Sequence, residues 1–216
     1  MDFTINRSLT FDCIDCLSQL AASAASNKET YVVAKGDPYL KAESLPKAHL
    51  NIDKTLPVKG YDVQEYVNSH QFNVSRFELL NGGDFSLDKY NVNCTVLFEN
   101  PSPYYVEMGS TSFNLSLKGS DIGYVVLPNL TVDFNITETV VLGSIDLGTL
   151  AEAALLTDSS EGAVPVGTVT IGIKGNRSEV NGKVIPYYTA AIQAIQVSVT
   201  VNLLDYGSLL FDHSGS

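Results

Sequence analysis

Tyr90 to Val132 reads YNVNCTVLFENPSPYYVEMGSTSFNLSLKGSDIGYVVLPNLTV. Val92, Cys94, Val96 and Phe98 alternate with Asn93, Thr95, Leu97 and Glu99, so one apolar row lies on one face of a strand. Asn100-Pro101-Ser102-Pro103 ends the run, because proline donates no ladder hydrogen bond and fixes its own φ. Phe113, Leu115 and Leu117 resume the alternation against Asn114, Ser116 and Lys118. Lys118-Gly119-Ser120-Asp121 then turns the chain, and Tyr124 to Leu127 returns it. Three consecutive strands of this kind predict a mainly-β chain built on an antiparallel β-sandwich.

The remainder supplies material to cover those strands. Phe3, Ile5, Leu9 and Phe11 read as a strand; Leu17, Leu20, Ala21, Ala24 and Ala25 follow at the spacing of one helix face. Tyr31 to Ala34 is a short strand, residues 37–60 with their three prolines read as irregular, and Val63 to Val67 fits helix or strand. Phe72 to Leu80 is a strand and Asn81-Gly82-Gly83-Asp84 the clearest turn. Beyond the opening stretch come a strand at Phe134 to Leu142 and a helical stripe from Leu147. Strands at Val164 to Ile173 and Ala194 to Leu204 follow, the first closed by a turn at Asn181-Gly182. Residues 206–216 read as a flexible tail.

The two halves echo each other. Asp2, Phe3, Ile5, Ile14 and Asp15 match Asp133, Phe134, Ile136, Ile145 and Asp146 at a constant offset. Lys35-Gly36 matches Lys174-Gly175. Leu56-Pro57 with Val63-Gln64 matches Ile185-Pro186 with Ile192-Gln193 at shifted offsets. The organisation this implies is the back half of one sandwich repeat at 1–81, a complete sandwich at 84–205, and one short helix in each repeat.

Bulk properties bound the function. With 216 residues, 44% of them apolar, the chain has ample core, while a net charge of −11 argues against a phosphate-tracking groove and hence against nucleic acid. The thirteen basic residues are scattered, so no polybasic membrane patch forms. No segment has the roughly 20 apolar residues that span a bilayer, and the N-terminus lacks the basic and apolar regions of a signal peptide. Against that stand seven Asn-x-Ser/Thr sequons among fifteen asparagines, at Asn6, Asn73, Asn93, Asn114, Asn129, Asn135 and Asn176. Each falls on a polar strand phase or in a turn, where a glycan leaves the core undisturbed. The expectation is an N-glycosylated extracellular or lumenal protein, here a fragment or processed chain.

Residues 90–204 resemble the late-embryogenesis-abundant type 2 (water-stress and hypersensitive-response) superfamily, and most of all its fungal branch, a domain of unknown function in secreted and vacuolar membrane proteins. The carriers are Phe98-Glu99-Asn100-Pro101-Ser102-Pro103, Phe113 to Leu117 with Gly119 and Ile122-Gly123, Leu127-Pro128-Asn129-Leu130, and the strand Val166 to Gly175. The resemblance implies an immunoglobulin-like antiparallel sandwich with a helix at one end. It implies no catalytic residues, and for some lumenal members a lipid held between the sheets.

Chemistry-bearing residues are few. Cys13-x-x-Cys16 has redox spacing, and a thioredoxin-like site wants it opening a helix. Zinc needs a second ligand pair, which is missing nearby. The repeat places Ser144 and Leu147 at the matching positions, which favours a structural disulfide, within the pair or to another chain, over catalysis. Cys94 lies on an apolar phase. His49, His70 and His213 have no acid or nucleophile at a telling spacing, and no phosphate loop or nucleophile elbow is present. Tyr104-Tyr105 and Tyr187-Tyr188 read as edge aromatics, with a carbohydrate platform as the sharper alternative. No cofactor, metal or enzymatic activity is expected. Two functions follow. One is a glycosylated structural module that assembles with itself, or with an adjacent repeat, head to tail by strand complementation. The other is a lipid-binding or lipid-transfer module.

Overall fold

The computed structural model describes residues 13–36, 39–40, 48–49, 51–69, 73–99, 105–132, 136–155 and 167–203. The expected first strand, the Asn-Pro-x-Pro break, Asn6, Asn135, Tyr104, His70, His213 and the tail lie outside these residues.

The front segment runs through α1 (Ile14–Ser26), β1 (Glu29–Gly36), the two-residue strands β2 (Tyr39–Leu40) and β3 (Ala48–His49), β4 (Ile52–Lys59), α2 (Val63–Ser69) and β5 (Asn73–Leu79). A 3-10 turn at Asn81–Gly83 leads to β6 (Val92–Glu99), β7 (Val106–Leu117), β8 (Ser120–Val132) and β9 (Ile136–Ile145). The chain closes with α3 (Leu147–Leu155), β10 (Thr168–Val180), β11 (Lys183–Val184), α4 (Pro186–Gln193) and β12 (Gln196–Asn202). The fold is mainly β and sandwich-like, with every strand pair antiparallel and no closed barrel.

One sheet dominates, in the order β11-β10-β7-β8-β9-β6-β5, with β12 also on β10. Its register explains the alternation. Leu79, Val92, Gly143, Val125, Phe113 and Gly175 lie side by side across six strands on one face. The next row, on the other face, is Glu78, Asn93, Leu142, Val126, Ser112 and Arg177. A period of two in sequence thus becomes one mostly apolar and one mixed face. The apolar face is covered by α3, whose Leu150 and Ala154 pack on Leu115, Leu117, Ile122 and Val169. Asp146 starts α3 by accepting the Thr149 amide at 3.0 Å and the Thr149 hydroxyl at 2.8 Å.

Helix α4 was not visible in the periodicity. Pro186 opens it, where a missing N–H costs nothing. Thr189 Oγ1 ties it to β10 by accepting the Ser178 amide (3.2 Å) and donating to the Ser178 carbonyl (3.3 Å). At its far end the Ile192 carbonyl lies over Gly175 so closely that a Cβ there would collide with backbone. Helix α1, largely small residues along its half-buried face, packs against α4. The ends of the chain's described portion therefore meet.

Residues 52–59, read as irregular, form β4. Pro57 is accommodated because, among the described strands, β4 has only one neighbour, β1, so a lost donor on its other side is harmless. Apart from the two-residue strands β2 and β3, both segments run helix, strand, strand, helix, strand, but their ends differ. Strand β12 returns to β10, whereas β5 leaves β1 and pairs with β6, so the last strand of the front segment is built into the main sheet. Pro57 lies inside a strand and Pro186 at a helix start, so that part of the internal match joins unlike positions.

Candidate interaction surface

The β1–β4 ribbon is exposed along most of its described length. Its register runs without interruption from Glu29↔Lys59 to Gly36↔Ile52. Among the described residues it is anchored at its base. Thr30, 8% exposed, shares a 2.9 Å hydroxyl hydrogen bond with Ser23 of α1. Asn27 ends α1 by donating to the Ser23 carbonyl, and Gly60 and Tyr61 donate to the Lys28 and Ala24 carbonyls. Lys28 and Glu65 of α2 form a 2.6 Å ion pair across the same base, and the Glu65 hydrogen bond and charge raise the Lys28 pKa. That pair is exposed and contributes little to stability. Burial raises the pKa of Tyr61, whose ring packs on Tyr66 at 5.5 Å.

Away from the base the ribbon presents apolar side chains to solvent. Tyr31 is 59% exposed, Val33 56% and Leu56 50%. Tyr31 and Val33 share one face; Leu56 lies on the other, paired with Val32. The two long edges are unlike. β4 carries Pro57, Lys54 and Lys59, features that discourage strand addition, while β1 reads Thr-Tyr-Val-Val along its centre with no proline. In the element order β1 corresponds to β10, which has β7 on one side and β11 and β12 on the other; among the described strands β1 pairs with β4 alone.

The structure joins Cys13 and Cys16 to each other by a disulfide, at the start of α1 and exposed. Cys94 is free and half-buried on β6, and burial pushes its thiol up to about 11. Of the sequons, Asn114, Asn129 and Asn176 are exposed, and Asn73 begins β5. Asn93 is half-buried, its amide donating to Glu78 Oε2 at 3.5 Å, because the face it shares with Leu142 and Val126 is only partly solvated. Tyr105 donates to Glu107 Oε1 at 2.7 Å, and Tyr187 meets Tyr188 edge-on at 4.6 Å. A groove of about 470 Å³ beside Glu107 is lined by Gly109, Asn129, Thr131 and Glu179, and another of about 460 Å³ by Ser116, Lys118, Lys174, Gln196 and Ser198. Both linings are mixed and neither is an apolar cleft for an acyl chain. Among the described residues no three His, Cys, Asp or Glu side chains group as metal ligands, and no helix is long and apolar enough to cross a membrane.

Sequence reasoning missed Asn91. Its side chain is fully buried, donating to the Gly83 (3.0 Å) and Ile145 (2.7 Å) carbonyls and accepting the Ile145 amide (2.9 Å). Asparagine before a strand is common, so nothing in the sequence marks this role.

Residues 2–115 match the family described as protein of unknown function, DUF3712. The chain belongs to this family. The matched stretch covers over half of the 216 residues, includes the ribbon and both of its helices, crosses the division expected at 81–84 and ends inside β7. It shares only residues 90–115 with the part for which a late-embryogenesis-abundant type 2 kinship is expected from the sequence. No curated protein and no solved structure matches the chain.

Proposed function

We propose that this DUF3712 member is a non-catalytic structural module that associates by strand addition at β1. The single supporting observation is the half-paired ribbon. A strand whose counterpart β10 is flanked on both sides has one flank unpaired among the described strands, with Tyr31 and Val33 exposed on one face beside it. The occupant by this reading is the strand edge of an adjacent repeat or of a second copy, giving a head-to-tail contact that propagates rather than closes. Glycans at the sequons of an extracellular or lumenal protein would keep such an array from lateral sticking. The finer kinship, with the late-embryogenesis-abundant type 2 superfamily, is part of the same reading; the antiparallel sandwich-like sheet with α3 at its end supports it.

Sedimentation of the full chain over a range of concentrations tests the proposal. The chain should form species larger than a monomer, and Tyr31→Lys with Val33→Lys should return it to monomer, since charges on an edge strand oppose strand addition. A wild-type chain that stays monomeric at every concentration rules out self-association. Removing residues 1–80 is a poor test, because it also takes β5 from the main sheet.

A further inference from the structure

The Cys13–Cys16 disulfide joins nothing to anything else. It spans three positions in sequence, within the first turn of α1, and ties that helix to no other element. The stabilisation a disulfide supplies grows with the loop it closes, so a bridge this short constrains the unfolded chain little. Both cysteines are exposed, as encounter with a second thiol requires.

Another helix start in the same chain shows what the place of Cys13 does. Asp146 immediately precedes α3, and the amide three residues on, Thr149, donates to its Oδ1 at 3.0 Å. That bond and the Thr149 hydroxyl hold the Asp146 carboxyl below the usual carboxylate range. Cys13 immediately precedes α1, and the amide three residues on, Cys16, donates to its Sγ at 3.0 Å. The Cys13 sulfur therefore occupies the place where this fold elsewhere keeps an anion, with the positive end of the helix dipole behind it. Asp15, in the same turn, opposes this in part.

We propose that Cys13–Cys16 is a thiol–disulfide exchange site that accepts two electrons from a dithiol on a partner protein. A partner thiolate attacks Cys13 Sγ, forming a mixed disulfide; the Cys13–Cys16 bond breaks and its electron pair leaves on Cys16 Sγ, which takes a proton from water. The partner's second thiol loses its proton and attacks the partner sulfur bonded to Cys13. The partner's disulfide forms, and Cys13 departs as a thiolate held by the Cys16 amide before it is protonated. The partner is oxidised by two electrons, the pair is reduced by two, and the two thiol protons are conserved through solvent. A stabilised Cys13 thiolate is the better leaving group in the second step.

The full chain, equilibrated in glutathione buffers of graded potential, quenched by alkylation and weighed intact, provides the test. The pair should open within the reducing range with the far-ultraviolet circular dichroism unchanged. In the reduced chain at mildly acid pH, Cys13 should alkylate at least about tenfold faster than Cys16 or the half-buried Cys94, as a low-pKa thiol does. Oxidised glutathione should leave one glutathione on Cys13 in Cys16→Ser and react at least about tenfold more slowly with Cys13→Ser. A pair that stays closed throughout, that opens only with loss of structure, or whose two thiols alkylate at equal rates overturns the proposal.

Discussion

Asn91 is where one side chain holds most. Its amide joins the 3-10 turn at Gly83 to the end of β9 at Ile145, while its own backbone pairs with Leu80 and Gly143. Asn91→Ala takes this partner from three part-buried backbone groups, and at the lower end of about 1–3 kcal/mol for each such group a loss of about 3 kcal/mol is expected in urea denaturation. Asn91→Asp should be worse, since a carboxylate would face two carbonyl oxygens that now accept from the amide. A change under about 1 kcal/mol in either variant would show that water replaces the side chain. The sequons separate by the same criterion of burial. In a glycosylating host, Asn114, Asn129 and Asn176 should carry glycans and the half-buried Asn93 should stay bare, as intact mass and peptide mapping would reveal; full occupancy of Asn93 would mean that β6 is modified before the sheet closes.

Among elements, the two helices of the back segment rest on separate local devices. Asp146→Ala removes the cap of α3 and should cost about 1 kcal/mol. Because the folded-state pKa of Asp146 is lowered by Thr149, its contribution is present above the ordinary carboxylate value and fades as pH falls through the lowered one. Wild type and Asp146→Ala should therefore converge in stability in acid, which chemical denaturation at graded pH would detect. Gly175→Ala drives a methyl into the Ile192 carbonyl and should destabilise by about 2 kcal/mol or more, read as a lower denaturation midpoint. Alternation made β6, β7 and β8 legible, and the apolar stripes from Leu17 and Leu147 became α1 and α3. Two elements were hidden by proline. Pro57 made β4 look irregular, though an edge strand tolerates it, and Pro186 gave α4 a start without a clean apolar stripe behind it. Pairing was less legible still, since nothing local to Asn73–Leu79 says that β5 seeks β6 and not β1.

For the whole molecule, the decisive variable is what fills the flank of β1 that no described strand pairs with, and the Tyr31→Lys, Val33→Lys pair tests that without disturbing the main sheet. The ribbon could be seen only in the structure, because its edge is defined by what does not pair with it among the described strands. A last consequence lies in the packing of α1 on α4, whose sequences are separated by about three quarters of the chain. During synthesis α1 leaves the ribosome about 160 residues before α4, an interval of roughly 8–30 s at ordinary elongation rates. Through that interval its inner face has no α4 to meet, and Cys13 and Cys16 are available to whatever oxidants and chaperones attend the nascent chain. Docking of α1 thus waits on the synthesis of α4, and a chain halted before Pro186 would present the same helix as an unburied handle for quality control.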